Sequence, residues 1–135
     1  MKKRILQTVT VVFILLVVLI YLQYGRKEEV TNSFGSSSAG VRDEKLTVVA
    51  NRLFVVDREA YGTELMNKAL TDSLGRFCFS WDIAYPHSIE MNVYLNKADK
   101  QNGRLAFTVV YRPIEDDRSY NVIDNADKYT IIIKD

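Results

Sequence analysis

Residues 5–25 carry no charged side chain, and residues 9–20 are almost wholly aliphatic. About twenty residues rising roughly 1.5 Å each match a hydrocarbon core of about 30 Å. In lipid such a stretch must satisfy every backbone group internally, which restricts it to a helix. Lys2, Lys3 and Arg4 precede the run, and Arg26 and Lys27 follow it. The larger amino-terminal cluster predicts that residues 1–4 stay cytoplasmic. Tyr21 and Tyr24 stand at the far end, where aromatic rings favour the headgroup level. A cleaved signal peptide needs a shorter apolar core followed by small residues. Here Tyr21, Leu22, Gln23 and Tyr24 are bulky, and no lipoprotein cysteine follows the run. The segment therefore reads as an uncleaved anchor over 5–25. It has neither a Gly-x-x-x-Gly face nor a central charge.

Beyond the anchor, Ser- and Gly-rich composition predicts a flexible linker over 26–44 and one extracytoplasmic domain over 45–135. The 18 Lys and Arg nearly cancel the 17 Asp and Glu. With no basic stripe, no nucleic-acid partner is expected. Cys78 is the single cysteine, so no disulfide can form within the chain and packing must hold the domain. A thiol bridge between two chains is the other use open to it. A disulfide-free domain of this kind is expected in a bacterial envelope at the cell membrane.

Residues 46–56 fit two patterns. Leu46, Val49, Ala50, Leu53 and Phe54 have helical spacing, whereas Leu46, Val48, Ala50, Phe54 and Val56 share one face at period two. The valines favour a strand, which is the reading adopted. Asp57 is placed to cap a helix with Glu59 in its first turn. Tyr61, Leu65 and Ala69 make its buried stripe, Gly62 weakens it, and Gly75 is positioned to stop it.

Period-two alternation then recurs around Phe77, Phe79, Trp81, Ile83 and Tyr85. It returns through Ile89, Met91, Val93 and Leu95, through Leu105, Phe107, Val109 and Tyr111, and through Tyr129, Ile131 and Ile133. Pro86-His87 and Lys100-Gln101-Asn102-Gly103 read as hairpin turns, the second with a strong Asn-Gly signal. The predicted fold class is α+β: a transmembrane helix, then a small domain with one helix on a mainly antiparallel sheet of about five strands. The expected order is strand, helix, then four strands, with 129–134 short and at an edge.

No catalytic, cofactor or metal motif stands out. Asp82, His87 and Glu90 flank one expected turn and form the candidate surface site. A single histidine without an adjacent, oriented nucleophile does not make a triad, and one His with one distant Cys does not make a zinc set. His87 reads first as an exposed turn residue, and Tyr85-Pro86 as a possible cis bond in that turn. The acidic runs Glu115-Asp116-Asp117 and 124–127 lack the alternating acids and glycine of a calcium loop. Glycine-rich phosphate cradles are absent, so no cofactor is expected. Three functional classes follow in order: an interaction or scaffold module in an envelope complex, a ligand-binding or sensing domain, and an enzyme.

Overall fold

A computed structural model describes residues 1–75 and 85–135. Helix α1 runs Lys2–Ile20 and continues as a wider, π-type turn over Tyr21–Gly25. Together they are long and apolar enough to cross a membrane, and none of the α1 residues is buried against the domain. Strands β1 (Glu29–Ser38) and β2 (Val41–Val49) follow, then helix α2 (Arg58–Leu70). Strand β3 (Ser88–Tyr94), the short helix α3 (Lys97–Gln101), β4 (Phe107–Pro113) and β5 (Tyr129–Lys134) complete the domain.

The five strands lie in the order β1-β2-β3-β4-β5. The pairs β1–β2, β3–β4 and β4–β5 are antiparallel, as the alternating pattern predicts for the last three strands. The central pair β2–β3 is parallel, with Leu46 beside Met91 and Val48 beside Val93. The sheet is therefore mixed rather than mainly antiparallel, and the element order differs from the expected one. A helix between two strands is what permits a parallel pair, because a tight turn cannot return a strand in the same direction. Both edges of β3 are occupied, by β2 and β4, so Pro86-His87 leads into a central strand instead of closing a hairpin. The alternating stretch 77–85 lies outside the described residues except for Tyr85.

Three further expectations are corrected. The stretch 26–44, expected as a flexible linker, carries β1 and the start of β2, joined at Ala39-Gly40 with φ of 51° and 80°. Serines contribute few apolar contacts, but β1 pairs through its main chain along β2, which composition does not register. The strand expected over 46–56 stops at Val49, and Asn51 at φ 54° turns the chain away. The Asn-Gly signal closes α3 rather than a hairpin. Gly103 (φ 68°) sits just past the cap Asn102, where its N–H donates to the Lys100 carbonyl at 3.2 Å and that of Arg104 to Asp99 at 2.8 Å. These two bonds form a Schellman motif, which needs the left-handed backbone glycine adopts freely.

Helix α2 begins as expected, with the Asp57 side chain accepting from Ala60 N at 3.0 Å. Its buried face is Tyr61, Gly62, Leu65, Met66 and Ala69. That face covers Leu46, Val48, Met91, Val93, Phe107 and Val109 from the strands. Tyr61 meets Phe107 edge-on, with ring centroids 6.4 Å apart. Gly62 lies directly on the sheet: a Cβ there would stand 2.5 Å from Ile133 Cδ1 and 3.0 Å from Val109 Cγ2. Its cost in helix propensity is the condition for close helix–sheet contact. The first turn of α2 is also tied to the chain beyond β5, by an ion pair between Arg58 and Asp135.

Leu65 is fully buried, so Leu65→Ala is expected to cost about 2–5 kcal/mol in urea unfolding. Gly62→Ala gains about 1 kcal/mol of helix propensity but incurs overpacking of about 1–3 kcal/mol. A net loss of stability is expected, deeper for Gly62→Val. A stabilised Gly62→Ala protein would show that the sheet yields at this point.

Candidate functional site

His87 and Glu90 fall toward the end of the sheet away from α1. His87 is half-buried and hydrogen-bonded on three sides. Its backbone N–H donates to the Arg42 carbonyl at 2.6 Å, and its carbonyl accepts from Tyr129 Oη at 2.5 Å. Its ring Nδ1 lies 2.8 Å from the Tyr120 carbonyl, which only accepts and so assigns the proton to Nδ1. Buried Pro86 accepts from Val122 N at 3.0 Å, and the Tyr85–Pro86 bond is trans. The expectation of an exposed turn histidine is thus corrected. His87 ties the start of β2, the 114–128 connection and β5 to the entry of β3.

Glu90 does not join His87. Strand alternation sets it beside Lys45 on the sheet face opposite α2, where the two pair at 3.2 Å. On the same face Ser88 Oγ donates to Asp43 at 2.6 Å. Asp82 lies outside the described residues. Among the described residues no three His, Cys, Asp or Glu side chains gather as a metal site. In the acidic connection, Asp117 Oδ1 accepts from both the N–H and the hydroxyl of Ser119. Those bonds hold its carboxyl below the usual range. The nearby Asn121 Oδ1 accepts from Ile123 and Asp124 N–H. These oxygens shape turns.

One buried charge was not anticipated. Glu44 lies within the sheet with its carboxylate paired to Arg42, whose Nε and Nη2 approach at 2.8 and 2.7 Å. The pattern offered a weak signal: Glu44 shares period-two register with Leu46 and Val48, the face that must be inside.

At the α1 end of the sheet a group of polar side chains gathers around Gln23. Gln23, in the π-type turn, is 5% exposed. Its Nε2 donates to the Phe54 carbonyl at 2.8 Å, and its Oε1 accepts from the N–H groups of Leu53 and Phe54 at 2.9 and 3.2 Å. Asn51 Nδ2 donates to the Lys27 carbonyl at 2.8 Å, and Lys68 pairs with Glu28 at 2.7 Å. Gln23 read alone is a polar residue near a helix end; its 30-residue reach to the domain has no local signal.

Beside this clasp lies a cavity of about 210 Å³ lined by Gln23, Tyr24, Arg52, Asp57, Tyr61 and Glu64. The Arg52 guanidinium stacks 3.9 Å from the Tyr61 ring centroid, a close cation–π contact. The buried Tyr61 hydroxyl has no hydrogen-bond partner among the described residues. Burial pushes it up to about 12, against the lowering charge of Arg52. Tyr129 is likewise raised to about 12, by burial and then by Tyr111 and Asp43. The bond it donates to His87 also favours the neutral phenol.

Two measurements test this geometry. His87→Ala is expected to cost about 1 kcal/mol or more, as for loss of a part-buried hydrogen bond. Glu90→Ala removes an exposed ion pair and is expected to cost under about 1 kcal/mol. Equal and negligible effects would show that the ring bond to Tyr120 contributes nothing. For pH, both tyrosines are raised from 10.0, so their contribution is complete below pH 10 and is lost as pH rises through about 12. Lys68, raised chiefly by its bond to Glu28, acts in the same direction. The melting midpoint should fall over that window, and Tyr61→Phe should make the fall shallower. An unchanged slope in Tyr61→Phe would assign the dependence elsewhere.

No known protein family, curated protein or solved structure matches this chain.

Proposed function

We propose that this protein is a single-pass anchored interaction module of the cell envelope. In this reading residues 1–4 are cytoplasmic, residues 5–25 span the cell membrane uncleaved, and the domain stands on the extracytoplasmic side. There it docks a protein partner through the edge of β5. The observation that carries the docking is the strand order: β5 ends the sheet and pairs with β4 alone among the described strands. An edge strand of six residues presents main-chain donors and acceptors on which an extended segment can add. The interior argues in the same direction. Leu65, Met66 and Phe107 are fully buried, so among the described residues helix and sheet pack directly on each other. The basic Lys2-Lys3-Arg4 start supports the orientation. Retention of the anchor is supported by Gln23, whose three bonds would be lost with a cleaved leader that included it.

A second reading, a ligand-binding or sensing domain, draws on the unpartnered Tyr61 hydroxyl in the anchor-end cavity. At about 210 Å³ that cavity is below the usual range of about 300–1,000 Å³ for small-molecule sites. It suits a small group with an acceptor oxygen.

Photo-crosslinking in native membranes separates the two. Benzophenone side chains at Thr130 and Ile132 on β5 should capture the same envelope protein, and external protease on wall-stripped cells should remove the domain. Adducts absent from both β5 positions would end the docking reading. A protected domain would reverse the topology.

A further inference from the structure

We infer that the loop between β2 and α2 inserts its apolar side chains into the bilayer surface, giving the domain a second membrane contact beside its anchor. The inference rests on the membrane-spanning reading of α1 and goes beyond it. Residues 5–22 form the apolar part of the anchor. At about 1.5 Å per residue these eighteen positions cover roughly 27 Å, close to the hydrocarbon thickness of about 30 Å. Gln23, the next residue, therefore lies where hydrocarbon gives way to headgroups.

The loop is held at that level. All three Gln23 bonds go to the backbone of Leu53 and Phe54. A second tie, Asn51 to Lys27, fixes the start of the loop to the chain leaving the anchor. The loop's side chains are apolar and open: Leu53 is 42% exposed, Phe54 50% and Val56 85%. Tyr21 and Tyr24, on the anchor beside them, are exposed too. Five large apolar or aromatic residues clustered around one polar clasp make a costly surface in water. At the bilayer surface the same side chains meet acyl chains and headgroups, the zone tyrosine favours. The occupant of this patch is thus the lipid of the bilayer that α1 spans. Only Arg26, Lys27 and Glu28 separate the π-type turn from β1, too few residues to hold the domain away from it.

The test uses the full chain in vesicles of phosphatidylethanolamine and phosphatidylglycerol. A benzophenone side chain is placed at Val56, at Leu16 in the anchor, or at Ile114, an exposed apolar residue at the other end of the sheet. After irradiation the intact mass is read. Addition of one phospholipid at positions 56 and 16, and none at 114, is the expected result. An adduct at 16 with none at 56 would leave the anchor standing and overturn the loop contact. Absence at 16 would remove the anchor reading and the proposal together. Adducts at all three positions would overturn it as well, because the contact would not be particular to this loop. Phe54 serves as a second loop position, exchanging one ring for another, if the Val56 variant loses the domain's melting transition.

Discussion

The domain depends on how closely α2 can lie on the sheet. At Gly62 the helix backbone replaces a side chain, so Ile133 and Val109 reach into the space a Cβ would fill. This approach lets Leu65, Met66 and Ala69 seat fully among the strands. It also allows a single thirteen-residue helix to close the core of a mixed sheet without any disulfide. The parallel β2–β3 pair follows from the same element, since the connection bearing α2 carries the chain back to start β3 in the direction of β2. A bulkier residue at 62 would lift the helix and loosen both.

The second determining interaction is polar. Gln23 presents one donor and one acceptor to a peptide edge, and the loop backbone satisfies both. A buried amide left unpaired would be costly, so the geometry locks once formed. It makes the π-type turn that follows α1 part of the domain. The end of the apolar helix, the loop and the cavity then share one surface, and the opposite end of the sheet, knotted at His87, faces away from it. The two ends differ in chemistry. At the far end the His87 ring and the Tyr129 hydroxyl are bonded to backbone carbonyls, whereas the near end leaves the Tyr61 hydroxyl unpaired and the loop's apolar side chains open.

Of the candidate site, little was legible from residue types. Proximity in sequence suggested that His87 and Glu90 share a turn, but the strand between them turns Glu90 to the opposite face from the core. Hydrogen bonds between His87 and Arg42, Tyr120 and Tyr129 join residues 33 to 45 positions apart, and no local pattern encodes such pairings. The clasp at Gln23 is hidden for the same reason. The buried Glu44 is a partial exception, because its register with Leu46 and Val48 places it inside once the strand is accepted.

Features that arise within a few residues were determined by the sequence alone. The apolar helix, the Asp57 cap, the α2 stripe and the alternation of β3, β4 and β5 each follow from periodicity or short-range hydrogen bonding. Only the tertiary structure decided the parallel pairing of β2 with β3, the β1 hairpin in a serine-rich stretch, and the fastening of Gln23 to the loop at 53–54. Each of these joins backbone to backbone or backbone to a distant side chain. Main-chain groups are the same in every non-proline residue, so their choice of partner depends on the packed core that brings the segments together.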